Sequence, residues 1–411
     1  MHQSIVLTYP HLFLFAYRQE SSSVATEDTW QDLRPKLGIK QVKDKQELIP
    51  WHQEEKEGFY HALEMGDSEG LLVACSPKDS NQVEPVSCFA EYKNQLDVTG
   101  NIGKTWLLCG YLNTSTNAEK EAIATAAYQS FSSSGKTLKL VGKFLGNPLY
   151  GVEEGREEVL ICIFSNLEGM KQLSQFYYDW LWLFYYYHKV NWIYEQSRRI
   201  KKLLVQENFF PNATVMPQLS DSLAKINLGS ADLQQLKIAL YEQSLILTKH
   251  TEGLEALTIQ IQSLKQNQAN YQKRLTKITQ TAKNTQLDDF EQFRKIDIPR
   301  YQEQIEQDYT SLSPGLRVRE RYIETIRGIV EISQAQSDRR IEHLIAVAGV
   351  GLGTASVMSA ALQNPVNNLE IKEKPAFLEP TSHILIIAIA SLVVGLGASW
   401  LTWLFFKRGN R

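Results

Sequence analysis

An α+β or α/β N-terminal cytoplasmic domain, followed by long coiled-coil helices and a C-terminal two-helix transmembrane hairpin, is the fold class predicted by this 411-residue sequence. Three observations carry that prediction. Short β-rich runs separated by turns fill the first 166 residues, an apolar three-four repeat follows, and two uncharged apolar stretches lie near the C-terminal end. The expected organisation is an α/β domain over 1–166, an aromatic-rich connecting helix and linker over 167–229, a helical stalk over 230–343, a hairpin over 344–406 and a basic tail over 407–411.

In the first region the β-rich runs are SIVLTYPHLFLFAY, GLLVAC, VSCFAEY, TWLLCGYL, TLKLVGKFL and EVLICIF. One helix, about Ala118 to Ser130, falls between the fourth and fifth, which predicts a mixed sheet with few helices. Two stretches imitate a phosphate loop, Gly100-Asn101-Ile102-Gly103-Lys104-Thr105 and Ser134-Gly135-Lys136-Thr137. Each lacks the required first glycine, with Val98 and Ser130 in its place, and each runs into β-like sequence where a helix N-terminus must supply amides to the phosphate. Both are read as turns. His52, Glu55, Glu57 and His61 cluster on an expected helix without metal-ligand spacing, and read as surface charges beside an aromatic anchor. Cys75, Cys88, Cys109 and Cys162 form no CxxC pair and read as small core residues in reducing surroundings.

Phe176 to Tyr194 holds eleven aromatics in nineteen residues, and Asp179, His188 and Lys189 interrupt it. A helix apolar all round is normally buried, so a buried connecting helix or subunit contact is expected. From an N-cap at Ser230, apolar residues follow heptad spacing through Leu233, Leu236, Leu240, Leu247, Leu254, Leu257, Ile261, Leu264, Tyr271, Leu275 and Ile278. Gln243, His250 and Gln268 are the polar breaks in a seam otherwise filled at eleven of fourteen positions, a coiled-coil signal over roughly 70 Å. The breaks are read as setting register, with His250 a seam histidine. A second helix, about Leu287 to Tyr309 with a kink at Pro299, runs back. Ser313 and Pro314 then read as an N-cap and first helical residue opening a further helix into the membrane.

Leu344 to Leu362 and Ile384 to Phe406 are each free of charge over 19 and 23 residues, long enough to cross about 30 Å of hydrocarbon. Arg339, Arg340, Trp400, Trp403, Lys407 and Arg408 are the expected interface anchors, and their distribution puts both termini on the cytoplasmic side of an inner (plasma) membrane. Gly349 and Gly353 form a GxxxG pair, and Ser391, Gly395 and Ser399 repeat the spacing for hairpin packing or oligomerisation. Gly349, Leu352, Ser356, Ser359 and Gln363, with Asn364 beyond, share a face that fits either a pore lining or ordinary packing.

The layout resembles CorA-type divalent-cation channels. Where that family carries Gly-Met-Asn, this chain reads Gln363-Asn364-Pro365, so only Asn364 corresponds. The opening segment His11-Leu12-Phe13-Leu14-Phe15-Ala16-Tyr17, followed by Trp30, resembles the start of caspase-and-TPR-repeat-associated (CATRA) proteins of bacterial conflict systems. That resemblance covers under a tenth of the chain. It implies a non-catalytic companion of a caspase-like or TPR-containing protein.

A formal net charge of −3 gives no electrostatic reason for a nucleic-acid partner. No nucleophile elbow, dinucleotide fingerprint or metal spacing is present, so no enzyme, cofactor or metal is expected. The expected function is a non-enzymatic inner-membrane signalling or effector component of a bacterial defence system. It is a homo-oligomer that couples a cytoplasmic sensor domain through a helical stalk to the hairpin. The alternatives are a CorA-like divalent-cation channel and a membrane-anchored scaffold.

Overall fold

The structure, a computed structural model, describes residues 5–19, 30, 32–39, 48–113, 116–206 and 230–334. Within them the chain forms two compact units. One takes the chain up to Glu195 together with Gln262–Glu303, and the other takes Gln196–Ile261 and the chain from Gln304 onward.

The first unit is built on a nine-stranded sheet. Its strands are β1 (Val6–Gln19), β2 (Ile49–His52), β3 (Lys56–Glu64), β4 (Ser68–Pro77), β5 (Val83–Pro85), β6 (Gly103–Tyr111), β7 (Lys139–Phe144), β8 (Asn147–Glu154) and β9 (Glu157–Phe164). The order is β2-β3-β4-β1-β6-β9-β8-β7, with β5 added beside β1. β6 and β9 run parallel, with Leu107 opposite Leu160 and Cys109 opposite Cys162, and the other pairs are antiparallel. The central strands are apolar on both faces, as strands covered on both sides must be.

Alternation along those strands divides the covering layers. Leu12, Leu14, Trp106, Leu108, Val159, Ile161 and Ile163 face one core with Phe89 and Tyr92 of α2 (Cys88–Leu96) and Ala124, Ala127 and Phe131 of α3 (Asn117–Phe131). Helix α3 starts in a capping box, with Thr116 Oγ1 accepting from the Glu119 amide while the Glu119 carboxylate accepts from the Thr116 amide. The intervening residues face the aromatic helix α5 (Tyr177–Gln206). Phe13 meets Tyr177 and Phe15 meets Phe184, both at 5.0 Å between ring centroids, and Tyr17 donates to the Leu181 carbonyl at 2.6 Å. Before α5 come two short helices, α1 (Leu33–Lys36) and α4 (Leu167–Gln172).

The three polar interruptions of the aromatic run are each satisfied. Asp179 accepts from Arg274 and Lys277 of α6 (Ser230–Thr281) at 2.8 and 2.9 Å. Lys189 pairs with Asp67 at 2.9 Å, and His188 reaches Thr105 at 2.7 Å. Buried polar groups are tolerable on such a helix only when paired in this way.

Helix α6 buries the heptad row Leu236, Gln243, His250, Leu257, Leu264, Tyr271 and Ile278, including two of the polar breaks. In the second unit Leu236 packs with Tyr322, Ile326 and Val330 of α8 (Ile298–Gln334). Asp308 takes Arg198 and Lys201 together. A Cβ on Gly253 would stand 2.3 Å from Leu204, so glycine lets α5 and α6 approach there.

Several expectations change. VSCFAEY is mainly the helix α2, because its apolar residues Phe89, Tyr92 and Leu96 fall at helical spacing against the sheet. His52, Glu57 and His61 lie on the antiparallel pair β2–β3, not on a helix. The return helix does not end before Pro314. After α7 (Asp288–Gln292) and a π-helical turn at Phe293–Asp297, α8 runs unbroken through it. The proline removes one amide donor, and Ser313 Oγ donates instead to the Thr310 carbonyl at 3.2 Å.

The transmembrane hairpin is withdrawn from the fold class. Among the described residues no helix is long and apolar enough to cross a membrane: α6 and α8 are charged along their exposed faces, and the aromatic run of α5 is broken by Asp179, His188 and Lys189. Residues 344–406 lie outside the described residues. With the hairpin go the inner-membrane localisation, the CorA-like topology and the terms membrane, transmembrane and defence system, none of which any described element supports.

Candidate functional site

The polar exception in the sheet core lies where three strands run side by side. Glu158 of β9 stands opposite Thr105 of β6 in the parallel ladder and opposite Glu153 of β8 in the antiparallel one. Cross-strand partners share a face, so the three side chains form a row pointing toward α5. Two α5 residues close over the row. His188 Nε2 and Thr105 Oγ1 share a hydrogen bond of 2.7 Å, and the Tyr187 hydroxyl donates to Glu153 Oε1.

Every residue of the Gly103-Lys104-Thr105 stretch has a structural partner here. A Cβ on Gly103 would come within 2.3 Å of His188 Nδ1, so the position needs glycine for the imidazole to pack. Lys104 Nζ pairs with Asp97 at 2.8 Å and Glu157 at 2.9 Å. Thr105 holds His188. The resemblance to a phosphate loop is therefore the signature of a strand start beneath a helix. In the second imitation, Gly135 takes the left-handed conformation at φ 68°, and Ser134 Oγ donates to Glu154 Oε1 at 2.6 Å.

Beside the row is a cavity of about 380 Å³. Its walls are the β8–β9 turn, the middle of α5 and the π-helical turn with the first residues of α8, through Glu153, Arg156, Glu158, Tyr187, Trp192 and Tyr301 among others. Tyr194 and Tyr301 stack at 4.0 Å and close one side. A wider hollow of about 520 Å³ along Ala269–Thr281 is lined by one helix, and its side chains are exposed.

Glu158 is the unusual group. It is 8% exposed, and its Oε2 has no hydrogen-bond partner among the described residues. Burial, reinforced by the negative charges of Glu153 and Asp289, pushes its carboxyl up to about 8, while a hydrogen bond from Thr105 acts the other way. Burial pulls the His188 imidazole down to about 3, so the ring is neutral. Lys104 is drawn down by burial, but its bonds to Asp97 and Glu157 outweigh this and leave it raised. The row can accept a donor or hold a proton at Glu158. It presents no exposed nucleophile, because Thr105 is 0% exposed.

The residues singled out from the sequence lie elsewhere. Gly349, Leu352, Gly353, Ser356, Ser359, Gln363, Asn364, Ser391, Gly395, Ser399, Arg339, Arg340, Trp400, Trp403, Lys407 and Arg408 all fall outside the described residues. The four cysteines are buried free thiols. His250 is buried in the helical seam, where its Nε2 donates to the Leu312 carbonyl at 3.2 Å. Sequence reasoning missed Glu153 and Glu158 and read Thr105 as part of a turn, whereas it lies on β6. The available signal was the acidic Glu157-Glu158 pair entering an otherwise apolar central strand.

No protein-family model matches the chain, and no curated protein matches it. Both family resemblances therefore rest on the sequence alone.

Proposed function

We propose that this chain is a non-enzymatic signalling adaptor in which the sheet domain receives a small polar ligand and the paired helices serve a protein partner. The observation that carries this reading is the cavity lined by Glu158, a nine-tenths buried carboxyl with one oxygen that has no hydrogen-bond partner among the described residues. A buried unsatisfied acceptor costs about 1–3 kcal/mol, and the residue that carries it lines the cavity. The chain passes between the two units at Glu195/Gln196, Ile261/Gln262 and Glu303/Gln304, each time inside a helix. Two of those helices, α5 and α8, also line the cavity, so a ligand there bears on elements that continue into the helical unit.

The neutral, fully buried His188 and Thr105 favour a packed polar core over a catalytic pair. The CATRA-type resemblance is what points to a caspase-like or TPR-containing partner. The test is native mass spectrometry of the full chain and of Asn191→Trp, which places a large side chain at the cavity wall. Retention of a small molecule by the native protein, lost in the variant, is the expected result. Turnover of any ester, phosphate or peptide substrate that is abolished by Thr105→Val in a folded protein overturns the non-enzymatic reading.

A further inference from the structure

We infer that the cavity beside Glu158 binds a small aliphatic amine, with the ammonium seated against Glu158 and Glu153 and its carbon chain against Tyr187 and Tyr301. This inference rests on the adaptor reading above and names the class of ligand.

The argument is one of unbalanced charge. The wall contains cations and anions, but the cations are already taken. Arg156 pairs with Glu195 and donates to the Asn101 carbonyl at 2.9 Å. Arg300 pairs with Asp297 at 2.8 Å, and Lys104, just behind the wall, pairs with Asp97 and Glu157. Glu157 also accepts from Trp106 Nε1 at 3.2 Å. Two carboxyls remain without a cation: Glu153, which has the neutral hydroxyl of Tyr187, and Glu158, whose Oε2 is buried and unpartnered. They are neighbours across the β8–β9 ladder.

An anion entering this space would meet the Glu153 carboxylate beside the protonated Glu158, with no unpaired cation among the described wall residues to offset it. A metal ion fits poorly as well, because no group of three or more His, Cys, Asp or Glu side chains among the described residues could hold one. A primary ammonium needs fewer ligands. It has three donors, enough for Glu158, Glu153 and one water, and the aromatic wall adds attraction for the cation and contact for its methylenes. Trp192 already shows that preference, with Lys189 Nζ 4.7 Å from its ring centre.

Occupancy also has a proton signature. Because burial pushes the Glu158 carboxyl up to about 8, the group holds its proton at pH 7 when the cavity is empty. An ammonium ion stabilises the carboxylate, so the O–H bond breaks and the proton passes to the buffer as the amine binds.

The experiment is titration calorimetry of the full chain at pH 7 with 1,4-diaminobutane and butylamine, with butane-1,4-diol as the uncharged control. Two buffers of different ionisation enthalpy report the released proton. Binding of an amine but not the diol is expected, with affinity at least tenfold weaker in Glu158→Gln and proton release absent from that variant. Circular dichroism confirms that the variant is folded, and Glu153→Gln, at the cavity rim, gives an independent second loss of affinity. No amine binding by the native chain, or equal binding by both variants, overturns the inference. If the native chain still retains a small molecule that Asn191→Trp excludes, the amine assignment falls while the adaptor reading stands. If neither amine nor retained molecule is found, both fall.

Discussion

Arg319 Nη1 donates to Gln243 Oε1 at 2.6 Å, with Arg319 1% and Gln243 8% exposed, inside the helical unit. A buried guanidinium makes this amide more than a register mark, because hydrogen bonds to charged groups contribute about 1.5–3 kcal/mol. Leucine at 243 would restore the heptad pattern and remove the acceptor. Gln243→Leu is therefore expected to destabilise the protein by about 2 kcal/mol in urea unfolding followed by circular dichroism. The double variant with Arg319→Met should recover part of the loss. A Gln243→Leu protein as stable as the native one would show that the pair contributes nothing.

Stability should respond to pH from both sides, for opposite reasons. Burial, together with nearby Arg319, pulls His250 from 6.5 down to about 4, although its bond to the Leu312 carbonyl acts the other way. A depressed histidine binds its proton more readily in the unfolded chain, so its contribution is present above pH 6.5 and lost as pH falls toward 4. His188, drawn down to about 3, adds in the same direction. Glu158 works oppositely. Its carboxyl rises from 4.5 to about 8, so its contribution is present below pH 4.5 and lost as pH rises through 8. The stability difference between Glu158→Gln and the native chain should shift toward the variant by about 2 kcal/mol or more between pH 4.5 and 9. Parallel stability curves over that range would contradict the assignment of Glu158 as a buried neutral acid.

What the sequence disclosed follows from where the physics is local. The strand EVLICIF at Glu158–Phe164, the helix at Ala118–Ser130 and the seam from Leu233 to Ile278 were legible because periodicity and capping are written in neighbouring residues. The polar breaks at Gln243 and His250 were visible, but their partners Arg319 and Leu312 lie more than sixty residues away. VSCFAEY misled because a short apolar run fits strand and helix equally well. The cavity was hidden for the same reason as the seam partners. Thr105, Glu153, Glu158 and His188 come together only through strand order and the placement of α5, which no spacing rule encodes.

Gly103 supplies a direct test of how α5 seats on the sheet. A methyl group there would overlap the His188 ring, at 2.3 Å from Nδ1 and 2.6 Å from Cγ. The imidazole cannot swing away without giving up Thr105 and exposing a buried polar pair. Gly103→Ala should cost about 1–3 kcal/mol, the usual range for overpacking a close-packed core. It should also speed amide exchange in α5 around His188. Unchanged melting temperature and exchange would mean that the helix shifts freely and that this contact does not position it.

Pro314 makes the opposite prediction, a substitution that strengthens the fold. It is exposed and lies in the interior of α8, where it cannot donate to the Thr310 carbonyl. Ser313 Oγ donates to that carbonyl at 3.2 Å, a substitute bond that leaves the proline ring still crowded against the preceding turn. Alanine restores the backbone bond and has the highest helix propensity. Pro314→Ala should thus stabilise the chain by about 1–2 kcal/mol, less than the roughly 3 kcal/mol of an uncompensated proline. Ser313→Ala should destabilise the native chain but be nearly neutral beside Pro314→Ala, because the carbonyl then has an amide partner. Thermal unfolding of the four proteins decides this. Should Pro314→Ala lower the melting temperature, the proline would be holding a bend that the His250–Leu312 contact requires, and the unbroken helix would not be the more stable arrangement.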